Sequence, residues 1–368
     1  MKNTFFASRS GFKIIISVGF TTLLLAGSNV SGSTAGPTEA EVLAALATNS
    51  IDLHLSDVAK TAKQLQQASQ TLCEQKDSQS LGAARDAWIN AYISWRGASP
   101  YLIGPADDLK LDYKLGGWQS NDIIMEAVTS SSEYNYLRDN IEMRGYAAAE
   151  YILFVPKDPA ATTTEERCSH LLSVTDEIAN LTGSAKEKWD NEFREEFITA
   201  GNGLPFMVPG DALSLVVAET LNSTEILLRD RIGLPSNFFD ADARPELLEA
   251  WHSKSTLKAL EAAFNGISES LAGDGKASIL NLIATQDGLT YKKDPALAKS
   301  IQKQLNTIKD IIAKLNKQQL NLYSELKNDP ATLKQLYQQL QKLQEKIALA
   351  VLALELDIRT GLEAELTR

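Results

Sequence analysis

Histidine is scarce in this chain: of 368 residues only His54, His170 and His252 are histidines. A zinc hydrolase needs about three protein ligands and an activated water, and its usual helical signature sets two histidines on one helix face. None of the three histidines lies near another in sequence, so such a site would need three separate helices to meet. Cysteine is as sparse, Cys73 and Cys168 being the full complement, which leaves no close-spaced thiolates for a metal. In an oxidising compartment such a pair bridges. Both are expected in or beside interhelical loops at one end of the first half, and closing so long a loop would stabilise the fold by roughly 4–5 kcal/mol in the chain-entropy model. Two separate thiols are the alternative. An excess of positive charge is missing, with 36 Lys and Arg against 47 Asp and Glu and a net charge of −11. No basic stripe exists to neutralise phosphates, and nucleic acid is excluded as a partner. A Gly-x-Ser-x-Gly elbow is also absent, so a serine-hydrolase reading has no support.

Long apolar runs are confined to the start. Lys2, Arg9 and Lys13 precede the apolar stretch Ile14 to Ala26, and a Ser/Gly-rich segment, Ser28 to Gly36, follows. The pattern is that of a secretory signal, and residues 1–35 are read as signal and leader. An N-terminal anchor is the other reading, although the run is short against the roughly 18–20 residues a spanning helix needs. Ser28 stands where a lipid-anchored protein would carry Cys. A periplasmic or cell-envelope protein is expected, with peripheral membrane association left open.

What remains is helical in period. Helices are expected at about 38–72, 83–103, 120–155, 165–198, 211–231, 244–272, 294–327 and 330–362, with breakers at Gly104-Pro105, Pro156 to Pro159, Gly201 to Pro209, Gly233-Leu234-Pro235 and Gly273 to Gly275. Asn328-Asp329-Pro330 reads as a turn, Asp329 suiting an N-cap and Pro330 the first helical position. Leu305, Ile308, Ile312, Leu315 and Leu322 face Leu333, Leu336, Leu340, Leu343 and Ile347 at helical spacing. The fold class is all-α. The helix count divides near Gly201 to Pro209 into two antiparallel four-helix bundles, 36–208 and 209–368, since a chain of this length exceeds one core.

The segment Arg144-Gly145-Tyr146-Ala147-Ala148-Ala149-Glu150-Tyr151-Ile152-Leu153-Phe154 sets one carboxylate in a small, apolar run. Burying an unpaired carboxylate costs several kcal/mol or raises its pKa. The segment resembles the Gly-x-His-x-x-Glu signature of the imelysin-like family: Gly145 and Glu150 match, and Ala147 replaces the His. Trp88, Trp95 and Gly104-Pro105 resemble the family's Trp-rich first block, with Tyr92 where an Arg is usual and Ser99 where a Glu is usual. Trp118 matches the Trp of the next element, with Gly116 or Gly117 in place of an acidic residue. Glu249-Ala250-Trp251-His252-Ser253-Lys254-Ser255-Thr256-Leu257 resembles a Glu-x-Trp-x-Ser-x-x-Ser-Leu motif with Ser255 one place early, and Arg231 to Pro235 fits the family's linker.

The resemblance implies two helical bundles with a site at their interface, an envelope role linked to iron uptake, and an envelope iron-uptake component as partner. The expected ligand set is Glu150 with Glu249, Asp107 or Asp108, and His252, lined by Trp95, Arg96, Trp118, Gly145, Ala147, Trp251, Ser253 and Ser255. Without the His, an all-oxygen site suits Ca²⁺, Mg²⁺ or ferric iron, weakly bound. The competing reading pairs Glu150 with Arg96 or Arg144. Three functions stay open: a non-catalytic binding protein in iron or metal acquisition, a metallopeptidase, and a structural or adaptor protein whose site has decayed, as loss of polar groups at Tyr92, Ser99 and Ala147 would suggest.

Overall fold

Capping chemistry sets where several helices begin. Thr38 and Glu41 form a reciprocal capping box at the start of α1 (Glu39–Leu46), the Thr38 N–H donating to the Glu41 carboxylate at 2.8 Å. A π-helical turn, Ala47–Ile51, carries α1 without a break into α2 (Asp52–Gln75). Lys76, left-handed at φ 54°, ends that rod, and Asp77 caps α3 (Ser78–Gly97) by accepting the Ser80 N–H at 2.8 Å. The short helices α4 (Pro105–Asp108), α5 (Leu111–Leu115) and α6 (Asp122–Thr129) lead to α7 (Gly145–Phe154) and α8 (Pro159–Thr162). Helix α9 (Glu165–Lys188) continues through a π turn at Trp189–Phe193 into α10 (Arg194–Ile198). Helix α11 (Pro209–Ile226) runs through a further π segment, Leu227–Gly233, into α12 (Leu234–Ser236). Helices α13 (Thr256–Ala272), α14 (Ile279–Ala284), α15 (Pro295–Lys317) and α16 (Ala331–Ala353) complete the chain. The computed structural model describes residues 36–117, 122–130, 143–238, 243–273, 275, 277–285, 295–317, 322, 326 and 330–358, and among them there is no strand. The expected leader, Trp118 and Asp329 lie outside the described residues.

The helix expected over 244–272 begins only at Thr256. Before it come a 3₁₀ turn at Pro245–Leu247 and a run of turns to Ser255. Ala250 and Lys254 sit at φ 50° and 57°, where an α-helix cannot pass. The span expected as one helix over 120–155 is described as separate helices α6 and α7, and α16 stops at Ala353, where the expectation ran to 362. Pro330 is the N-cap of α16 and not its first helical residue.

Among the described residues two apolar cores form. One joins α2, α3, α7 and α9 through residues such as Leu65, Trp88, Trp95, Ile152, Leu171 and Ile178. The other joins α11, α13, α15 and α16 through Val216, Phe264, Ile308, Leu336 and Leu343, and it also takes in Val42 and Leu43 of α1 together with Trp189 and Phe197. Helices α3 and α13 cross closely because both carry glycine there: a Cβ on Gly266 would lie 2.1 Å from the Gly97 carbonyl oxygen. A disulfide joins Cys73 to Cys168, with Cα atoms 5.7 Å apart and a sequence separation of 95. No described helix is long and apolar enough to cross a membrane.

Candidate functional site

Helix α7 starts where only glycine fits. Gly145 has φ 66°, and a Cβ there would sit 2.6 Å from the Leu115 carbonyl oxygen. The helix is then pinned to α3 by the Trp88 indole N–H, which donates to the Tyr146 carbonyl at 2.9 Å. Tyr146 packs between Tyr92 and Trp95, with ring centroids 5.6 Å from each. Glu150, one turn further along α7, is therefore carried into the interior, 4% exposed.

Opposite Glu150 lies the loop 249–255. Its turns free the Ser253 N–H, which donates to Glu150 Oε1 at 2.8 Å. The loop is tied to itself: Thr256 Oγ1 donates to the Glu249 carbonyl at 2.6 Å, and the Ser253 hydroxyl and Ser255 N–H both donate to the Ala250 carbonyl at 3.0 Å. Burial pushes the Glu150 carboxyl up to about 7, and the Glu249 charge adds to the rise, while hydrogen bonds from Ser253 and the His252 N–H hold it down. Glu150 pairs with neither arginine expected for it. Arg144 turns to Glu177, its Nε 3.2 Å from Oε2, and Arg96 turns to Glu249.

Glu249 is fully buried in a charged knot. Its Oε2 accepts the Tyr92 hydroxyl at 2.8 Å, lies 2.9 Å from Arg96 Nε and 3.8 Å from Arg231 Nε. Ser99 holds Arg96 in place, accepting from its Nη1 at 3.1 Å. Burial works against the Arg96 guanidinium, but Glu249 and Tyr92 raise it above its ordinary value. For Arg231 burial wins, and it falls below. Tyr92 is driven well above the usual phenol range by burial and by Glu249. Among the described residues, the buried polar atoms of this region that make no hydrogen bond include Glu249 Oε1, the Tyr146 hydroxyl and Arg96 Nε, the last held by its ion pair alone. The substitutions expected as signs of decay are thus active in the network: Tyr92 and Ser99 are polar partners of Glu249 and Arg96, and only Ala147, buried three residues before Glu150, presents no polar group.

The other expected site residues divide. Trp95 is buried beside Tyr146, and Trp251 lies half-buried against the second core. His252 points its ring away from Glu150, with Nε2 3.2 Å from Asp122 Oδ1 and the ring edge-on to Tyr151. Asp107 and Asp108 are exposed on α4, and the charge of Asp107 bears on Glu219 of α11 instead. Burial, with Asp112 and Asp107 nearby, raises Glu219 to about 8. Sequence reasoning passed over Arg231, Tyr146 and Glu219 as site residues. Arg231 offered a signal, a charged residue in an otherwise apolar linker; Tyr146 and Glu219 offered none.

The donor set does not fit a resident transition metal. Position 147 supplies a methyl group, Glu150 offers one carboxylate, and Glu249 is flanked by two guanidiniums that repel a bare cation. Among the described residues no three His, Cys, Asp or Glu side chains converge to hold a metal ion. Ser253 and His252 do not form a nucleophile–base pair, because the Ser253 hydroxyl donates to the Ala250 carbonyl and His252 Nε2 lies against Asp122.

Comparison with known proteins places this architecture. The family model described as imelysin matches residues 53–349. The chain belongs to the imelysin family. Iron-regulated protein A of Synechococcus elongatus is 23% identical over 215 residues, 57% of this chain and 57% of that protein. The chain thus spans little more than half the length of that curated relative. The imelysin fold is seen in a protein of Parabacteroides distasonis described as an iron-regulated protein A precursor, with TM-score 0.74 and 16% identity over 88% of this chain and 97% of the other. An imelysin-like protein of Psychrobacter arcticus gives TM-score 0.67 and 15% identity, covering 88% of this chain and 99% of its own.

Proposed function

We propose that this imelysin-family protein is exported, is not a catalyst, and serves iron or metal acquisition at the cell envelope together with an envelope uptake component, using the Glu150–Glu249 region as its binding site. Family membership and the name of the Synechococcus relative support the iron-linked part. The N-terminal apolar run supports export. The observation that carries the site is Glu150 itself, an interior carboxyl poised near 7 whose hydrogen bonds come from one loop. With Arg96 and Arg231 beside it, the region favours a metal that arrives with anionic ligands of its own over a bare cation.

Calorimetric titration of the metal-free protein with ferric citrate, ferrous iron, zinc and calcium tests this, with Glu150→Ala alongside. Saturable ferric citrate binding that the variant loses is the expected result. No heat with any of the four removes the site from the reading and leaves the adaptor role, which the internal pairing of Glu249 with Arg96 and Tyr92 favours. Tight zinc binding with chelator-sensitive peptide hydrolysis restores the peptidase reading.

A further inference from the structure

The chain is acidic in total, with a net charge of −11, yet one pair of helices reverses that sign. Helix α15 carries Lys299, Lys303, Lys309, Lys314 and Lys317 against Asp310 alone. Helix α16 carries Lys334, Lys342 and Lys346 against Glu345 alone. Helices α2 and α9, of closely similar length, each hold more acidic residues than Lys and Arg. The two basic helices lie side by side: Gln304 Nε2 donates to the Gln339 carbonyl at 2.8 Å, and Lys346 Nζ to the Ser300 carbonyl at 3.4 Å. The expectation that no basic stripe exists holds for the total charge and fails for this pair.

Helical period puts most of this charge on the outer side. Ile301, Ile308 and Leu315 turn inward from α15 to the second core. Lys299, Lys303, Lys314 and Lys317 fall opposite them within about 60° of arc, Asp310 shares their stripe, and Lys309 lies to its side. On α16, Leu336, Leu343 and Ile347 turn inward, while Lys334, Lys342 and Glu345 are exposed on the other side. Among the described residues none of the eight lysines makes an ion pair. Apolar groups continue the same face of α16: Leu349, two turns after Lys342, is 53% exposed, and Leu352 is 65% exposed. This combination selects the occupant. Every cation of the face is a lysine, a point charge that suits diffuse negative charge, where the planar fork of arginine suits a single carboxylate or phosphate. A polyanion in water offers the two leucines nothing, whereas a lipid interface buries them beside headgroups that attract the lysines. No described helix is long and apolar enough to cross a bilayer, so the contact is peripheral.

We propose that the outer face of α15 and α16, with its lysine stripe and with Leu349 and Leu352 at one end, is a docking surface for an anionic lipid bilayer. It is independent of the Glu150 region, and either can fail without the other. The test is sedimentation of protein recovered from cells expressing the whole chain with vesicles of phosphatidylcholine, with and without phosphatidylglycerol. Binding is expected only where phosphatidylglycerol is present, and it should weaken as salt is raised. Combined Lys299→Gln, Lys303→Gln, Lys314→Gln and Lys317→Gln should weaken it by about a hundredfold or more, each lysine at such a leaflet contributing a factor of roughly five. Lys60→Gln, Lys76→Gln, Lys157→Gln and Lys188→Gln together make the same change of charge at exposed positions elsewhere and should leave binding within about twofold, since charges beyond a Debye length of the leaflet are screened. Leu349→Ser with Leu352→Ser should weaken vesicle binding and leave its salt dependence in place. The salt series on the unaltered protein keeps the test decisive if a variant misfolds. Equal binding to pure phosphatidylcholine, equal loss in the two lysine sets, or no vesicle binding at all would each overturn the proposal. Binding to polyglutamate or a duplex oligonucleotide as tight as to the anionic vesicles, and indifferent to the leucine variant, would overturn it in favour of a soluble polyanion.

Discussion

Glu249 and Glu150 lie close enough for the charge of one to act on the other, yet their surroundings differ in kind. Around Glu249 stand two guanidiniums and a phenol, all buried with it. Around Glu150 stand loop N–H groups and apolar side chains, and the one charge named as acting on it, that of Glu249, is of its own sign. A buried carboxylate with cations is a structural member whose removal strands positive charge. One without cations is a burden to the folded state when ionised.

The largest effect, and a reference for the pair, is expected from removing the disulfide outside this region. Cys73→Ala with Cys168→Ala opens a 95-residue separation and should cost about 4–5 kcal/mol in urea unfolding on the chain-entropy model, with little dependence on pH. Next comes Glu249→Gln. Leaving Arg96 and Arg231 buried without their shared carboxylate should cost about 3–5 kcal/mol, and a loss below 1 kcal/mol, on the order of a surface pair, would break the contrast.

Glu150→Gln should act in the opposite direction. The folded carboxyl at about 7 lies above its ordinary 4.5, so the folded state binds this proton more tightly than the unfolded one. The contribution to stability is complete below about 4.5 and is lost as pH rises towards 7. The variant should therefore match the wild type near pH 4.5 and exceed it by about 2–3 kcal/mol near pH 8. Chemical unfolding at both pH values checks this, and a variant that is less stable at pH 8 would mean that the carboxylate has a cationic partner. The smallest effect is expected from Tyr92→Phe, about 1–3 kcal/mol for loss of a hydrogen bond to a charged group. Combined with Glu249→Gln the two losses should not add, because one bond is removed twice.

Much of the scaffold was legible because helical period and capping chemistry are local. The rod from Glu165 to Ile198 ends where the sequence indicated, and the leucine stripes of α15 and α16 lie in one core. The site was less legible. Ala250 and Lys254 adopt left-handed conformations without the glycine or asparagine that announces them, so the Glu249–Ser255 motif reads as helix although it folds as turns. Those turns expose the Ser253 N–H and give Glu150 its partner. Arg96 was visible as a site residue, but its choice of Glu249 over Glu150 depends on how α3, α7 and the loop meet, which no local pattern encodes. Tyr92 and Ser99 illustrate the same limit: as departures from a family pattern they read as losses, and in place they are hydrogen-bonding members of the knot.

The most direct measurement is a ¹³C NMR titration of the glutamate side-chain carboxyls, with Glu150 assigned by its disappearance in Glu150→Gln. A Glu150 resonance titrating with a midpoint near 7 is the predicted result. A midpoint at the ordinary value of 4.5 would contradict the account, since Glu150 would then be as well stabilised in its ionised form as a carboxylate in water.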